Sequence, residues 1–362
     1  MAWRFEWRRT WAEVWAEDFA GTWRRLLEAS ASAQVYHVPS LVRAWAETYG
    51  AAVSAAPTFG LARDDDGRTV LLPWVVVPHA GRVVRRRVLE PVGSSLFAYH
   101  DPLVARDDLE RVDWPGLWDG ARRELAQTCD TALFRFVHRR HLGPAGIGAE
   151  PCADESPVLD LSGVRSLEEA LARCSTNHRG DVRRRLRRLA EKGDVRLWVA
   201  GPAESHEAIR SFRHDFVAAY HHVWRGRPSG SLLDRPGTLA FMTRVVSEGV
   251  PAGWAHYAAL LVGDTPVAWH LGLSHADSLH WWVPTHDRAW EAWSPGKALL
   301  AKIVEHAIAR GFTSLHLLTG GQPYKLAWRP EPEDLVSVRW HAPALTGRIL
   351  GWYDALHGAR RT

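Results

Sequence analysis

The stretch HWWVPTHDRAWEAWSPGKALLAKIVEHAIARGFTSLHLLTGGQPYKLAW, residues 280–328, holds a strand, a break, a helix and a second strand in turn. Its first seven residues are aromatic and β-branched enough for a strand. Ser294-Pro295-Gly296 then breaks the run. Leu299, Leu300, Ile303, Val304, Ala307 and Ile308 recur at helical spacing, so the pattern predicts a helix over Pro295–Arg310 that Gly311 stops. A second strand is predicted over Phe312–Thr319, and Tyr324-Lys325 follows it. Ser294 suits an N-cap, and Pro295 suits the first helical position because its missing N–H has no intrahelical partner there. Gly296 leaves room for a ligand against the backbone. First-turn N–H groups and the helix dipole together favour an anion at such a place.

Working outward, HYAALLV, the turn GDTP, VAWHLGLSH, the turn ADS and LHWWVPTH predict a three-stranded meander. Two helical patterns precede it, with Ile209, Phe212, Phe216 and Ala219 on one face of the first. No helix recurs between the meander strands, which argues against a doubly wound parallel sheet and for an α+β fold. Further upstream, Val182, Leu186 and Leu189 form a narrow apolar stripe on an arginine-rich helix, and Ser166 with Glu169 has the capping-box spacing. The first half is also mixed. TFGLARDDDGRTVLLPWVVV reads as a hairpin about Asp66-Gly67, and WPGLWDGARRELAQTC as a helix. Trp3, Trp7, Trp11 and Trp15 fit a helix face, or with Phe5 one side of a strand; periodicity does not separate the two. The expected division is one domain over 1–156 and a second over 157–362.

The 362 residues exceed what one core normally organises. Apolar residues make up 46% and charged residues 24%, the balance of a globular domain, and apolar runs are strand-sized rather than membrane-spanning. The first eighteen residues carry charges throughout, without the apolar core of a signal peptide. Cys129, Cys152 and Cys174 are odd in number and far apart, so no disulfide framework is expected and a reducing cytoplasm fits. A net charge of +4 is compatible with a phosphate-bearing ligand. A Walker loop is excluded, because Ala298 follows Gly296-Lys297 and Glu291 stands where its first glycine belongs. No GxGxxG opens a helix after a strand. His138 and His141 lack a third ligand in the sequence pattern, so no metal site is expected.

The chain resembles the GNAT acyltransferases, and more narrowly the tandem-GNAT, CelD-like proteins, distant relatives of the Fem aminoacyl transferases. The resemblance rests on NHRGDVRRRLRRLAEKGDV, HHVWRGR, GDTPVAWHL, the SPG helix and LHLLTGGQPYKLAW in the second half. VYHVPSLVRAW, DGRTVLLP and FAYHDPL carry it in the first. It covers nearly the whole chain. It implies two GNAT-like domains, each a mixed, mostly antiparallel sheet flanked by helices, the first degenerate. It further implies an acyl-CoA donor, acetyl-CoA first among them, without a metal. The pyrophosphate would sit at Ser294, Pro295, Gly296 and Lys297. Backbone N–H groups near Val283 would polarise the carbonyl. Tyr324 stands where the family's general acid does, and Lys325 would contact donor phosphate or carbonyl. One departure is plain: the family's last strand carries an acid where this chain has His316.

Amine acylation also needs a route for the amine's proton, and no base stands out. His270, His280, His286 and Asp215 are the candidates. Among the arginines Arg179 and Arg183, with Trp224 and Arg225 of the HHVWRGR element, are the candidates for substrate or phosphate contact. The acceptor expected is the amine of a small molecule, or of a cell-envelope or natural-product precursor. Two alternatives stay open: a Fem-type transferase using aminoacyl-tRNA, for which the arginine helix would hold RNA phosphates, and a non-catalytic GNAT scaffold binding an acidic partner. DNA is not an expected partner.

Overall fold

A computed structural model describes residues 2–80, 85–143, 149–152, 154–225, 230–343 and 347. The chain divides into two compact units: Met1–Ala153 together with Asp334–Thr362, and Asp154–Glu333. The expected contiguous second domain, 157–362, therefore needs correcting at its end. The last described strand is hydrogen-bonded into the first unit's sheet, and nothing in its sequence names its partner.

The first unit contains β1 (Arg4–Arg8), β2 (Ala56–Arg63), β3 (Thr69–Ala80), β4 (Arg85–Pro91), β5 (Leu103–Val104), β6 (Thr131–His138) and β7 (Ala149–Pro151). The second holds β8 (Pro157–Asp160), β9 (Val195–Val199), β10 (Ala255–Val262), β11 (Thr265–His275), β12 (Ser278–His286), β13 (Ser314–His316) and β14 (Glu331–Pro332); β15 (Leu335–His341) returns to the first. The sheet orders are β1-β2-β3-β4-β6-β15-β7, with β5 on β3, and β14-β8-β13-β12-β11-β10-β9. Each sheet is antiparallel except for one pair: β4 with β6 in the first, β12 with β13 in the second. In both, a helix joins the two parallel strands, Trp114–Glu124 in one and Pro295–Ala309 in the other. A parallel pair requires such a crossover, because a tight turn can only reverse the chain.

The N-terminal tryptophans resolve into both candidate patterns. Trp3 and Trp7 flank or lie on β1 and pack with Phe5 against the first core. Trp11 and Trp15 belong to the helical segment that follows, their rings stacked at 5.7 Å. That core centres on Trp74, Trp118, Phe134 and Trp340, between the sheet and the helix Trp114–Glu124. In the second unit, Leu299, Leu300, Ile303, Val304 and Ala307 of the helix Pro295–Ala309 are fully buried against one sheet face, as their spacing predicts. Val182 and Leu189 of the arginine helix, Thr176–Ala190, join the same cluster. Phe212 and Phe216 pack on Tyr257 from the opposite face. No helix among the described residues is long and apolar enough to cross a membrane.

Candidate active site

Strands β12 and β13 pair at only three positions, Ser278↔Ser314, Leu279↔Leu315 and His280↔His316. Beyond them β13 ends: the Leu317 N–H bonds Pro157 O, and Leu318 takes a positive φ of 58°. The strand predicted to Thr319 is thus cut short, and β12 runs on beside β11 alone. On that side β12 is also bulged. Leu271 pairs with Val283 and Leu273 with His280, so Trp281 and Trp282 together face Gly272. A methyl group on Gly272 would stand 2.3 Å from His270 Cε1 and 2.8 Å from His280 O, which is why the position is glycine. The bulge interrupts the β11–β12 ladder just before Val283.

The N-terminus of the helix Pro295–Ala309 departs from expectation. Ser294 is left-handed, φ 54° and ψ 55°, and its side chain makes no capping bond. Its Oγ accepts from the Arg185 guanidinium instead. A non-glycine residue in this region is strained by about 1–3 kcal/mol, a cost that concentrates at ligand sites. The space around Gly296 is open, its nearest neighbour on the side-chain side being His286 Nδ1 at 3.9 Å. Arg185 Nε also donates to Asp181 Oδ2 at 2.8 Å, and Lys297 Nζ lies 3.7 Å from the same oxygen. Burial pushes the Asp181 carboxyl up, but the hydrogen bond and charge of Arg185, with Lys297 and Arg184, bring it below its ordinary value. Two cations and one anion therefore flank the first turn.

The corresponding helix of the first unit is closed. Asp113 caps it, its Oδ1 accepting from the Gly116 N–H at 3.1 Å. A carboxylate already occupies the place where an anion would bind.

Tyr324 is the second residue of the short helix Pro323–Leu326 and packs against the core that the SPG helix helps to form. Trp281 Nε1 donates to its hydroxyl at a long 3.4 Å. Burial raises its pKa, outweighing that bond, so the phenol keeps its proton. Lys325 differs from expectation. It is buried, and its ammonium donates to Leu318 O at 3.3 Å and Thr319 O at 3.0 Å. Burial lowers its pKa to about 8. It staples the loop that leaves β13 and so fixes where Tyr324 stands; both carbonyls are already its partners.

The base candidates are scattered. His270 is fully buried and stacks on Trp281 at 4.4 Å. Burial, with His256 nearby, holds it well below the ordinary imidazole value, hence neutral. Asp215 lies on the other sheet face, where its charge acts on Tyr257 and Arg210. The structure does not bring it to Tyr324. His280 is buried, its pKa well below normal through burial, and its ring stacks on His316 at 4.6 Å. His316, in place of the family's acid, has Glu333 3.7 Å from Nδ1. His286 alone of these borders Gly296.

Of the arginines, Arg183 is exposed and paired with Glu168, and Arg179 donates to Thr176 Oγ1 at 3.4 Å. Arg185 is the one at the helix N-terminus. Trp224 stacks on Tyr220 at 5.7 Å and ends, with Arg225, a helix packed on β12 and the 288–293 turn. Gly226 and Arg227 of the HHVWRGR element lie outside the described residues. His138 and His141 do acquire a third neighbour, Asp101, all three buried and within 4.8 Å. Asp101 accepts from the His138 backbone at 2.8 Å and bonds its Nδ1 at 2.6 Å.

Sequence reading missed Arg185, Gly272, Trp281 and Asp113. A lone glycine inside a strand pattern is a bulge signal, and Asp-x-x-Gly before a helical run is a cap signal. Nothing in the sequence separates Arg185 from its five neighbouring arginines.

The second unit's sheet thus has two parallel strands that part beside a bulge, an uncapped crossover helix and a tyrosine beyond it. Residues 176–326 match the family model described as acetyltransferase (GNAT) domain. Residues 176–326 therefore form a GNAT domain, and by that domain the chain is an acyltransferase. Its fold is shared with FemX, at TM-score 0.58 and 9% identity over 88% of this chain and 95% of that one. It is shared as well with the C-terminal domain of a putative lysylphosphatidylglycerol synthetase from Agrobacterium fabrum, at 0.55 and 14% over 93% and 96%. L-PGS from Bacillus licheniformis gives 0.50 and 13% over 90% and 98%. At such identities the likeness is one of fold. No curated protein matches the chain in sequence.

Proposed function

We propose that the second unit takes an acyl-CoA, acetyl-CoA first, and transfers the acyl group to an amine of a small molecule or of a cell-envelope or natural-product precursor. The observation that carries this is the contrast between two equivalent helix N-termini. One is capped by Asp113, and the other is left open at Gly296 with Arg185 and Lys297 beside it. Pyrophosphate would bind the first-turn N–H groups and draw those cations from Asp181. When bound, the thioester supplies an activated acyl carbon. The backbone N–H groups of β12 near Val283 would hold the carbonyl oxygen as it gains charge. Tyr324, kept protonated by burial, would give its proton to the departing sulfur as the C–S bond breaks and the amine nitrogen forms the C–N bond; the nitrogen sheds its proton to solvent, from which the phenol is reprotonated. The test is calorimetric titration of the full chain with CoA. Saturable binding at micromolar concentration, at least tenfold weaker in Gly296→Glu, supports the reading; equal binding by both proteins overturns the site.

A second donor is favoured by one feature. Arg187 and Arg188 are exposed and have no carboxylate partner among the described residues, so the arginine helix offers free cations for the phosphates of an aminoacyl-tRNA. Binding of tRNA whose affinity falls steeply with salt supports that donor; flat or absent binding removes it. Acyl transfer to any offered amine would rule out a non-catalytic scaffold.

A further inference from the structure

The first unit carries a second polar feature at its own parallel strand pair. β4 and β6 pair only at Val88↔Thr131 and Leu89↔Ala132. Leu89 and Ala132 belong to the tryptophan core, so Val88 and Thr131 face the other way. On that opposite face a cavity of about 200 Å³ lies across β3, β4, β6 and β15, lined among others by His79, Arg86, Glu90, Thr131, Arg135 and Arg339.

Its charge is unbalanced. Guanidinium groups line it from three adjacent strands; the excess rests on Arg86 and Arg135 alone, against Glu90, the one carboxylate in the lining. Glu90 stands 3.6 Å from His79 Nε2, close enough to attract it and too far to accept its hydrogen bond. No carboxylate pairs with Arg86 or Arg135 among the described residues. Two nitrogen atoms at the wall, Arg86 Nε and His79 Nε2, are buried and without a hydrogen-bond partner. A buried orphan N–H is rare and costly, and it calls for a water or an ion. Here the surrounding excess of positive charge selects an anion. Guanidinium forks match a tetrahedral dianion in particular, since each offers two parallel N–H groups to adjacent oxygens.

We propose that this cavity is a phosphoryl-binding site, formed by Arg86, Arg135 and Arg339 with His79, separate from the donor site of the second unit. Its ligand is inorganic phosphate or the phosphate of a small ester. The site lies wholly within the first unit, so it gives that unit a ligand of its own after Asp113 has closed the helix N-terminus.

The experiment is a 31P NMR titration of the full chain, with inorganic phosphate in one arm and glycerol phosphate in the other, against chloride at matched ionic strength. Arg135→Gln/Arg339→Gln removes two exposed cations without touching the core, and Arg86→Gln removes the half-buried one. Circular dichroism establishes that each variant is folded. Saturable binding to the wild type, weakened at least about tenfold in the double variant as expected for losing charge-assisted bonds, supports the site. Tighter binding of the ester than of phosphate names an ester as ligand; the reverse names the free ion. Gly296→Glu, which blocks the donor site, should bind the probe as the wild type does. Absence of saturable binding, binding unchanged in the folded double and Arg86→Gln variants, or loss of binding in Gly296→Glu overturns the proposal.

Discussion

Lys325→Met gives the most informative perturbation, because the lysine's role is decided by where its ammonium goes. The ammonium is buried against Leu318 O and Thr319 O, and its pKa falls from 10.5 to about 8. One unit corresponds to about 1.4 kcal/mol, so the charged form is disfavoured in the fold by roughly 3 kcal/mol relative to the unfolded chain. Between pH 8 and 10.5 the unfolded chain holds the proton more tightly, so stability must rise with pH across that window. Below pH 8 both states are protonated and the penalty is complete and constant. Urea unfolding of wild type and Lys325→Met at pH 7 and pH 9.5 isolates the effect, since every other titrating group cancels in the difference. The gap between the two proteins should move in favour of the wild type by about 2 kcal/mol. A gap that stays the same at both pH values would show that the ammonium is not buried, and would return Lys325 to the list of groups free to meet a donor.

Three further outcomes follow from the same geometry. Tyr324→Phe should lower kcat about 10²–10⁴-fold while leaving the CoA Kd unchanged; a Kd that rises in step with the loss would make the residue a binding group only. Gly272→Ala should cost about 1–3 kcal/mol in chemical denaturation, because the added methyl meets a backbone carbonyl that cannot retreat without undoing the bulge. Asp101→Asn should cost about 3–5 kcal/mol by leaving His138 and His141 without their buried anion. Those histidines hold the Asp101 carboxyl well below its ordinary value despite burial, so its contribution is present above the usual carboxylate range and vanishes as pH falls through the depressed value. The gap to the wild type should therefore close in strong acid.

The elements of the second unit were legible because their periodicities are clean. The six apolar positions from Leu299 to Ile308 have one solution, and the meander before them has turn residues at each reversal. What was not legible is set by long-range register. Arg185 meets Ser294 across 109 positions, and no local pattern ranks it above Arg183. β13 looks longer than it is, since Leu317 and Leu318 are as strand-like as Leu315 until the chain turns toward Pro157. Ser294 reads as a cap in every respect except its backbone angles, which the turn before it imposes. Lys325 reads as an exposed cation because burial of a lysine leaves no trace in sequence. Asp215 and His270 share a polar character and differ by sheet face: the helix carrying Asp215 packs on Tyr257, whereas His270 pairs with Ala258, which belongs to the other core.

The Asp113 cap bears on stoichiometry. Two crossover helices of the same kind would ordinarily give two donor sites per chain. Asp113 acts as a tethered competitor at the first, present at an effective concentration no free anion can match. CoA should therefore titrate to one equivalent per polypeptide despite the duplicated architecture, and the first unit is released from every constraint that an open phosphate cradle places on its loops.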